Sequence, residues 1–273
     1  MAAPTAGGRS RAGCREFARL SWTALVLAGS RPGRDAFATS HGTDLKALIP
    51  VGGVAMVARP VAALLDAPEV GAVRVLAQQP ERIAAVLPDD PRLTVEVSGA
   101  TIAATLEAIL ADPATRFPLL VTTADHALLD GAMIADFCAR AVGADLAIGL
   151  VEKAALDARL PQTKRTWLRF RGGAYSGANL FALGSRDAAA AIGLWRSVEQ
   201  DRKKGWRMIA ALGPALLLGA VLRLRTLDQS LAGVGRRLGL SLAKVELANP
   251  LAAVDVDKPA DHALVTAILE GRA

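Results

Sequence analysis

Short apolar runs of β type alternate with amphipathic helical segments along most of this 273-residue chain. No other feature narrows the fold as much. A strand followed by a covering helix returns to its sheet in parallel, and the pattern of the two periods predicts a mostly parallel sheet with helices on both faces. Strands are expected near 22–28, 73–77, 93–97, 118–123, 144–150, 165–170, 177–183 and 244–248. Helices are expected near 53–66, 80–86, 101–111, 131–141, 187–199, 202–221, 226–239 and 259–270. Pro32, Pro50, Pro88, Pro91, Pro118 and Pro161 fall in the joints, where a missing N–H does least harm. One domain is expected over 21–273. Residues 1–20, rich in Arg, Gly and Ala and without an apolar core, read as a disordered tail rather than a secretory signal.

The chain is 52% hydrophobic and 21% charged, ample for a buried core. Its net charge is +6, but Arg9, Arg11, Arg15 and Arg19 against Glu16 place +3 of that in the tail. The remaining body is only mildly basic, which suits an anionic small substrate or a membrane surface. Duplex nucleic acid calls for a concentrated basic face, so no nucleic-acid partner is expected. Cys14 and Cys138 are too few for a disulfide framework or a thiolate metal site, and a reducing cytoplasm fits them. The apolar run 210–222 contains Pro214 and is too short to span a bilayer. It reads as a buried helix or, with Arg202, Lys203, Lys204, Arg207, Arg223 and Arg225 beside it, as a peripheral membrane contact.

Ligands of open α/β sheets bind beyond the carboxyl ends of the strands, so the residues just after each strand matter most. After the first strand come Gly29-Ser30-Arg31-Pro32-Gly33, a polar excursion from Asp35 to Asp44, and Lys46. This reads either as an ordinary turn or as a phosphate cradle, since glycine admits close approach and Arg forks onto phosphate oxygens. After the third strand, a turn at Gly99 opens a helix, and Ser98 and Thr101 offer small hydroxyls to a nucleotide base, or a cap to that helix. After the fourth strand, Asp125 is either a cap or a carboxylate for Mg²⁺. Near the C-terminus, Asp255-Val256-Asp257 alternates so that both carboxylates share a side, and Lys258-Pro259 opens a helix that Asp261 supports.

Together these segments resemble the MobA-like NTP transferases, which include molybdenum-cofactor guanylyltransferase and the cytidylyltransferases of isoprenoid and sugar-acid synthesis. The family's opening Leu-Ala-Gly-Gly-x-x-x-Arg-Met-Gly-x-x-Lys appears here as Leu27-Ala28-Gly29-Ser30-Arg31-Pro32-Gly33 with Lys46. Its central aspartate appears as Thr123-Ala124-Asp125, and its closing Val-Asp-Thr-Pro-Glu-Asp as Val256-Asp257-Lys258-Pro259-Ala260-Asp261. The resemblance covers residues 22–270. It implies a three-layer α/β/α Rossmann-like, GT-A-like nucleotidyltransferase fold. It also implies transfer of NMP from an NTP to a phosphorylated small-molecule acceptor, with release of pyrophosphate. In that reading Gly29, Ser30, Arg31 and Gly33 cradle the triphosphate, Lys46 neutralises its charge, and Asp125 with Asp257 holds Mg²⁺.

The sequence departs from the family in four places. Ser30 replaces the second glycine, Arg31-Pro32-Gly33 or a shift to Arg34 stands in for Arg-Met-Gly, His126 follows the aspartate where proline is common, and Gly29 to Lys46 spans seventeen positions, longer than the family interval. Lys164, Arg165 and Asn179, in a basic turn and the segment after it, read as binding the acceptor, with Asn179 alternatively assisting the metal, or as an exposed hairpin with solvated charges. His126 is expected to act at most indirectly, and His41 and His262 to be structural or solvated. The alternatives are molybdenum-cofactor guanylyltransferase itself, and a non-catalytic nucleotide-binding or membrane-associating module. A dinucleotide-dependent oxidoreductase is disfavoured, because no G-x-G-x-x-G follows the first strand.

Overall fold

A computed structural model describes residues 21–29, 33, 35–163, 165–200 and 224–272. The predicted helix at 202–221, the proposed tail 1–20, and Ser30, Arg31 and Lys164 lie outside the described residues. Five strands form the parallel frame on which the site depends: β1 (Trp22–Leu27), β4 (Val70–Ala77), β5 (Leu93–Val97), β6 (Leu119–Thr123) and β7 (Leu146–Glu152). They join β8 (Leu168–Phe170), β9 (Gly173–Leu183) and β10 (Leu242–Glu246) in one eight-stranded sheet. Its order is β10-β7-β9-β6-β1-β4-β5, with β8 paired to β9. Strands β1, β4, β5 and β6 run parallel, as do β7 and β10, while β9 lies antiparallel between β6 and β7.

The pleat sorts each strand's side chains onto two cores. Ala24 and Val26 of β1, Val73 and Val75 of β4, Leu120 of β6 and Leu180 of β9 face one layer. That layer includes Val61 and Leu64 of α2 (Ala58–Asp66) and Ile134 and Phe137 of α5 (Gly131–Ala141). Leu25, Leu76, Leu119 and Val121 face the other, with Leu106 and Ile109 of α4 (Ile102–Ala111) and Ile192 of α7 (Ala189–Gln200). The architecture is thus the expected α/β/α sandwich. Central strands such as β6 are buried along nearly their whole length, whereas the edge strand β5 has no fully buried residue and carries Glu96, which Arg74 of β4 grips at 2.8 and 2.7 Å.

The remaining α-helices among the described residues are α1 (Ala36–Ser40), α3 (Pro80–Ala84), α6 (Lys153–Arg159), α8 (Leu227–Leu238) and α9 (Pro259–Leu269). Three local differences from the sequence reading have physical causes. Residues 50–55 form a hairpin, β2 (Pro50–Val51) and β3 (Val54–Ala55), rather than the start of a helix. Gly52 and Gly53 both take positive φ, 55° and 87°, as a two-residue hairpin turn demands. The excursion after β1 contains α1, whose first turn Asp35 caps by accepting from the Phe37 and Ala38 amides at 2.9 and 3.1 Å. Strand β8 starts at Leu168 rather than near 165.

Candidate active site

Strand order reverses at β1: the chain runs outward through β4 and β5, then crosses back to place β6 on the opposite side. A crevice opens at the carboxyl ends of two such strands. Leu27 and Thr123 sit on the same rung, and the Ala124 amide donates to the Leu27 carbonyl at 3.0 Å. Gly29 and Asp125, each two residues further on, therefore emerge side by side. Gly29 is exposed, and a Cβ there would lie 3.0 Å from Gln78 Nε2. Gly33 has φ 108°, a conformation that favours glycine.

The long interval to Lys46 is taken up by α1 and by an ion pair between Asp44 and Arg82 of α3, 2.7 Å apart. Lys46 then opens a single 3-10 turn (Lys46–Leu48), whose Ala47 carbonyl accepts from the Val57 amide at 3.0 Å. That anchor delivers the lysine to the crevice. Its ammonium lies 2.7 Å from Asp125 Oδ2 and 2.5 Å from Asp257 Oδ1. Burial works against the charge, but the two carboxylates outweigh it and hold the Lys46 ammonium above its usual range. The side chains of Lys46 and Asp125 are 23% and 20% exposed and that of Asp257 62%, so the cluster opens to solvent on the Asp257 side.

Asp125 is oriented by Thr123, whose hydroxyl donates to Oδ1 at 2.5 Å. Thr123 is not among the residues expected from the sequence, although a hydroxyl two residues before a strand-end carboxylate is a readable signal. Asp257 is placed by its backbone: its amide donates to Asp261 Oδ2 at 3.2 Å, and the Val256 amide donates to the Asp125 carbonyl at 3.1 Å. Two hard carboxylate oxygens converge on one point, a donor type suited to a divalent cation such as Mg²⁺. No group of three or more His, Cys, Asp or Glu forms a cage among the described residues. The pair therefore fits an ion that completes its shell with water and substrate phosphates, as Mg²⁺ commonly does.

Asp255 and Asp257 part company despite the alternation. Asp255 meets the guanidinium of Arg165 and accepts from Asn179 Nδ2 at 3.3 Å. Burial pushes the Asp255 carboxyl up; Arg165 pulls it down, and Asp257 and Asp125 push it up again, leaving it above the usual carboxylate range. Asn179 takes φ 48°, a left-handed conformation that Asn tolerates better than most residues. Of the residues expected to meet an acceptor, Arg165 and Asn179 are thus joined to the aspartate loop.

Ser98, Gly99 and Thr101 stand together after β5. The Thr101 hydroxyl caps α4 by accepting from the Ala104 amide at 3.1 Å, and the Gly99 amide donates to Thr105 Oγ1 at 2.9 Å. The Ser98 hydroxyl oxygen is buried without a hydrogen-bond partner. His126 is fully buried beneath Asp125, with Nδ1 3.2 Å from Thr122 Oγ1 and Nε2 unpartnered. Burial lowers its pKa to about 4 against the pull of Asp125 and Asp130, so it packs as a neutral ring. His262 Nε2 lies 2.6 Å from the Pro50 carbonyl and His41 Nδ1 3.0 Å from that of Phe37, placements that fit structural roles. No helix among the described residues is long and apolar enough to cross a membrane.

The sequence profile of the MobA-like NTP transferase domain matches residues 24–226. A hypothetical transferase from Thermus thermophilus is similar in structure, with 30% identity and a TM-score of 0.74, covering 89% of this chain and 99% of that one. A 4-diphosphocytidyl-2C-methyl-D-erythritol synthase from Anaerococcus prevotii shares the fold at 10% identity and a TM-score of 0.59, covering 92% and 96%. A second synthase of that name aligns at 14% identity and a TM-score of 0.55, covering 91% and 98%. No curated protein matches the sequence.

Proposed function

The chain belongs to the MobA-like NTP transferase domain family, and from that membership we propose that it carries NMP from an NTP to the phosphate of a small-molecule acceptor in a Mg²⁺-dependent reaction. An acceptor phosphate oxygen attacks the α-phosphorus, a new P–O bond forms, and the bond to the bridging oxygen breaks as pyrophosphate leaves. The observation that carries this reading is the convergence of Lys46, Asp125 and Asp257 within 2.7 Å contacts at the carboxyl ends of β1 and β6.

Mg²⁺ held by Asp125 and Asp257 would neutralise triphosphate charge and make the α-phosphorus more electrophilic. The protein's own groups do the positioning. Thr123 fixes the rotamer of Asp125 through its 2.5 Å hydrogen bond. Lys46 supplies a permanent positive charge to the phosphate oxygens. Gly29 and Gly33 let the backbone approach the triphosphate, with Ser30 and Arg31 between them in sequence. Ser98 and Gly99 lie at the carboxyl end of β5, where the base is assigned, and Thr101 caps the helix that follows. Lys164 and Asn179 are the residues proposed to bind the acceptor. A phosphate monoester is largely dianionic at neutral pH, so no side chain has to remove a proton from it. Catalysis then rests on alignment and electrostatic stabilisation.

The test is pyrophosphate release from each of ATP, GTP, CTP and UTP, with Mg²⁺ and a panel of sugar, alcohol and pterin phosphates, by wild type and Asp125→Asn. Release that matches acceptor consumption with one NTP, and falls roughly a hundredfold or more in the variant, is expected. Nucleotide binding indifferent to Mg²⁺, with no pyrophosphate from any acceptor, would leave a non-catalytic binding module instead.

A further inference from the structure

Asp257 belongs to a loop whose two flanks are gripped by one side chain. Arg165 contacts the Asp255 carboxylate through Nη1, while Nη2 donates to the Asp255 carbonyl at 3.3 Å and lies 3.6 Å from Asp261 Oδ1. Asp255 stands two residues before Asp257 and Asp261 four residues after it. Asp261 in turn accepts the Asp257 amide through its other oxygen, at 3.2 Å. The side chains of Arg165 and Asp261 are each only 9% exposed, so this is a desolvated contact rather than a solvated surface pair. Asn179 closes the far side of Asp255 at 3.3 Å.

The charge pattern leads to the same conclusion. Asp255, Asp257 and Asp261 fall within seven residues, and Asp125 and Asp257 both act on the Asp255 carboxylate, so without a cation among them these groups would repel one another and spread the loop. Arg165 offsets the two flanking carboxylates and leaves Asp257 directed to Lys46, 2.5 Å away. A planar guanidinium can hold a side-chain oxygen, a carbonyl and a second carboxylate in one geometry; a lysine ammonium cannot reproduce that fork.

We infer that Arg165 is a positioning residue: by stapling Asp255 to Asp261 it sets the loop that presents Asp257 to the divalent cation of the metal–nucleotide site. The inference rests on the metal reading proposed above. It differs from an acceptor-binding role in a measurable way, because a positioning residue governs cation binding before any acceptor is present.

The experiment is Mn²⁺ binding by water-proton relaxation enhancement, with Mn²⁺ alone and with a mixture of the four NTPs, in the absence of acceptor. Arg165→Met should weaken Mn²⁺ binding roughly 10- to 100-fold, the usual consequence of losing a residue that orients a metal ligand. Arg165→Lys, which keeps the charge but loses the fork, should fall between the variant and wild type. Unchanged Mn²⁺ affinity in both variants overturns the inference, whether acceptor use or thermal stability alone is altered. If Arg165→Met does not fold, Arg165→Lys decides: affinity below wild type supports positioning, and equality with wild type contradicts it. A wild type that binds no Mn²⁺ with or without NTPs instead overturns the metal–nucleotide reading itself.

Discussion

Two carboxylates pointing at one another across a crevice are tolerable only with a cation between them, and in this protein Lys46 occupies that position. Its contacts of 2.7 and 2.5 Å to Asp125 and Asp257 are charge-assisted hydrogen bonds on a side chain that is three-quarters buried. In the proposed reading the same oxygens hold Mg²⁺, so lysine and metal would compete for them until a triphosphate drew the ammonium away. Lys46→Met should therefore lower kcat/KM by roughly 10²- to 10³-fold, measured as pyrophosphate release. The same variant should bind Mn²⁺ more tightly than wild type when no nucleotide is present; equal or weaker binding would show that the lysine does not exclude the ion. Cys138 illustrates the opposite environment. It is 1% exposed, and burial pushes its thiol up to about 12, so peptide mapping after iodoacetamide treatment of the native protein should find it unmodified.

At the scale of elements, local chemistry was the legible part. The strand cores of β1, β5 and β6 and the helices α4 and α5 lie within a few residues of where periodicity puts them. Val54, Met56 and Val57 also suit a helical face, which draws the expected helix back to 53, although Gly52-Gly53 carries the hairpin signal. Helix α6 was missed because seven residues show too little periodicity, even with the ion pair between Lys153 and Asp157. Thr101 was read both ways, and the structure gives it the capping geometry. Thr101→Ala should cost about 1 kcal/mol in denaturant unfolding and leave nucleotide affinity unchanged; lost affinity at full stability would restore a direct nucleotide contact. Gly184 closes another junction, where an added Cβ would lie 2.1 Å from the Ala144 carbonyl oxygen. Gly184→Ala should therefore destabilise by roughly 1–3 kcal/mol, read as a lower unfolding midpoint.

Over the whole molecule, function follows from where the sheet reverses its order. The motif residues are scattered from Gly29 to Asp257, and only the crossover that sets β6 beside β1 brings them together. Lys46, Asp125 and Asp257 can be singled out from the sequence as candidates. Their partners cannot: that Lys46 meets Asp257, 211 positions away, and that Arg165 meets Asp255, 90 away, are tertiary contacts with no local periodicity to announce them. Even the seventeen-residue interval after Gly29, a departure from the family motif, is reconciled by α1 and the Asp44–Arg82 pair, which bring Lys46 back to the crevice.

The central claim is that one crevice holds nucleotide and metal together, and thermal unfolding of wild type and Asp125→Ala with ATP, GTP, CTP or UTP, each with and without Mg²⁺, tests it most directly. A native-state ligand at a hundred times its dissociation constant adds about 2.7 kcal/mol, or roughly 5–10 °C for a chain of this size. The account predicts such a rise for at least one NTP, dependent on Mg²⁺ and lost in Asp125→Ala. A shift indifferent to Mg²⁺ and retained in the variant, or no shift with any nucleotide, would contradict it.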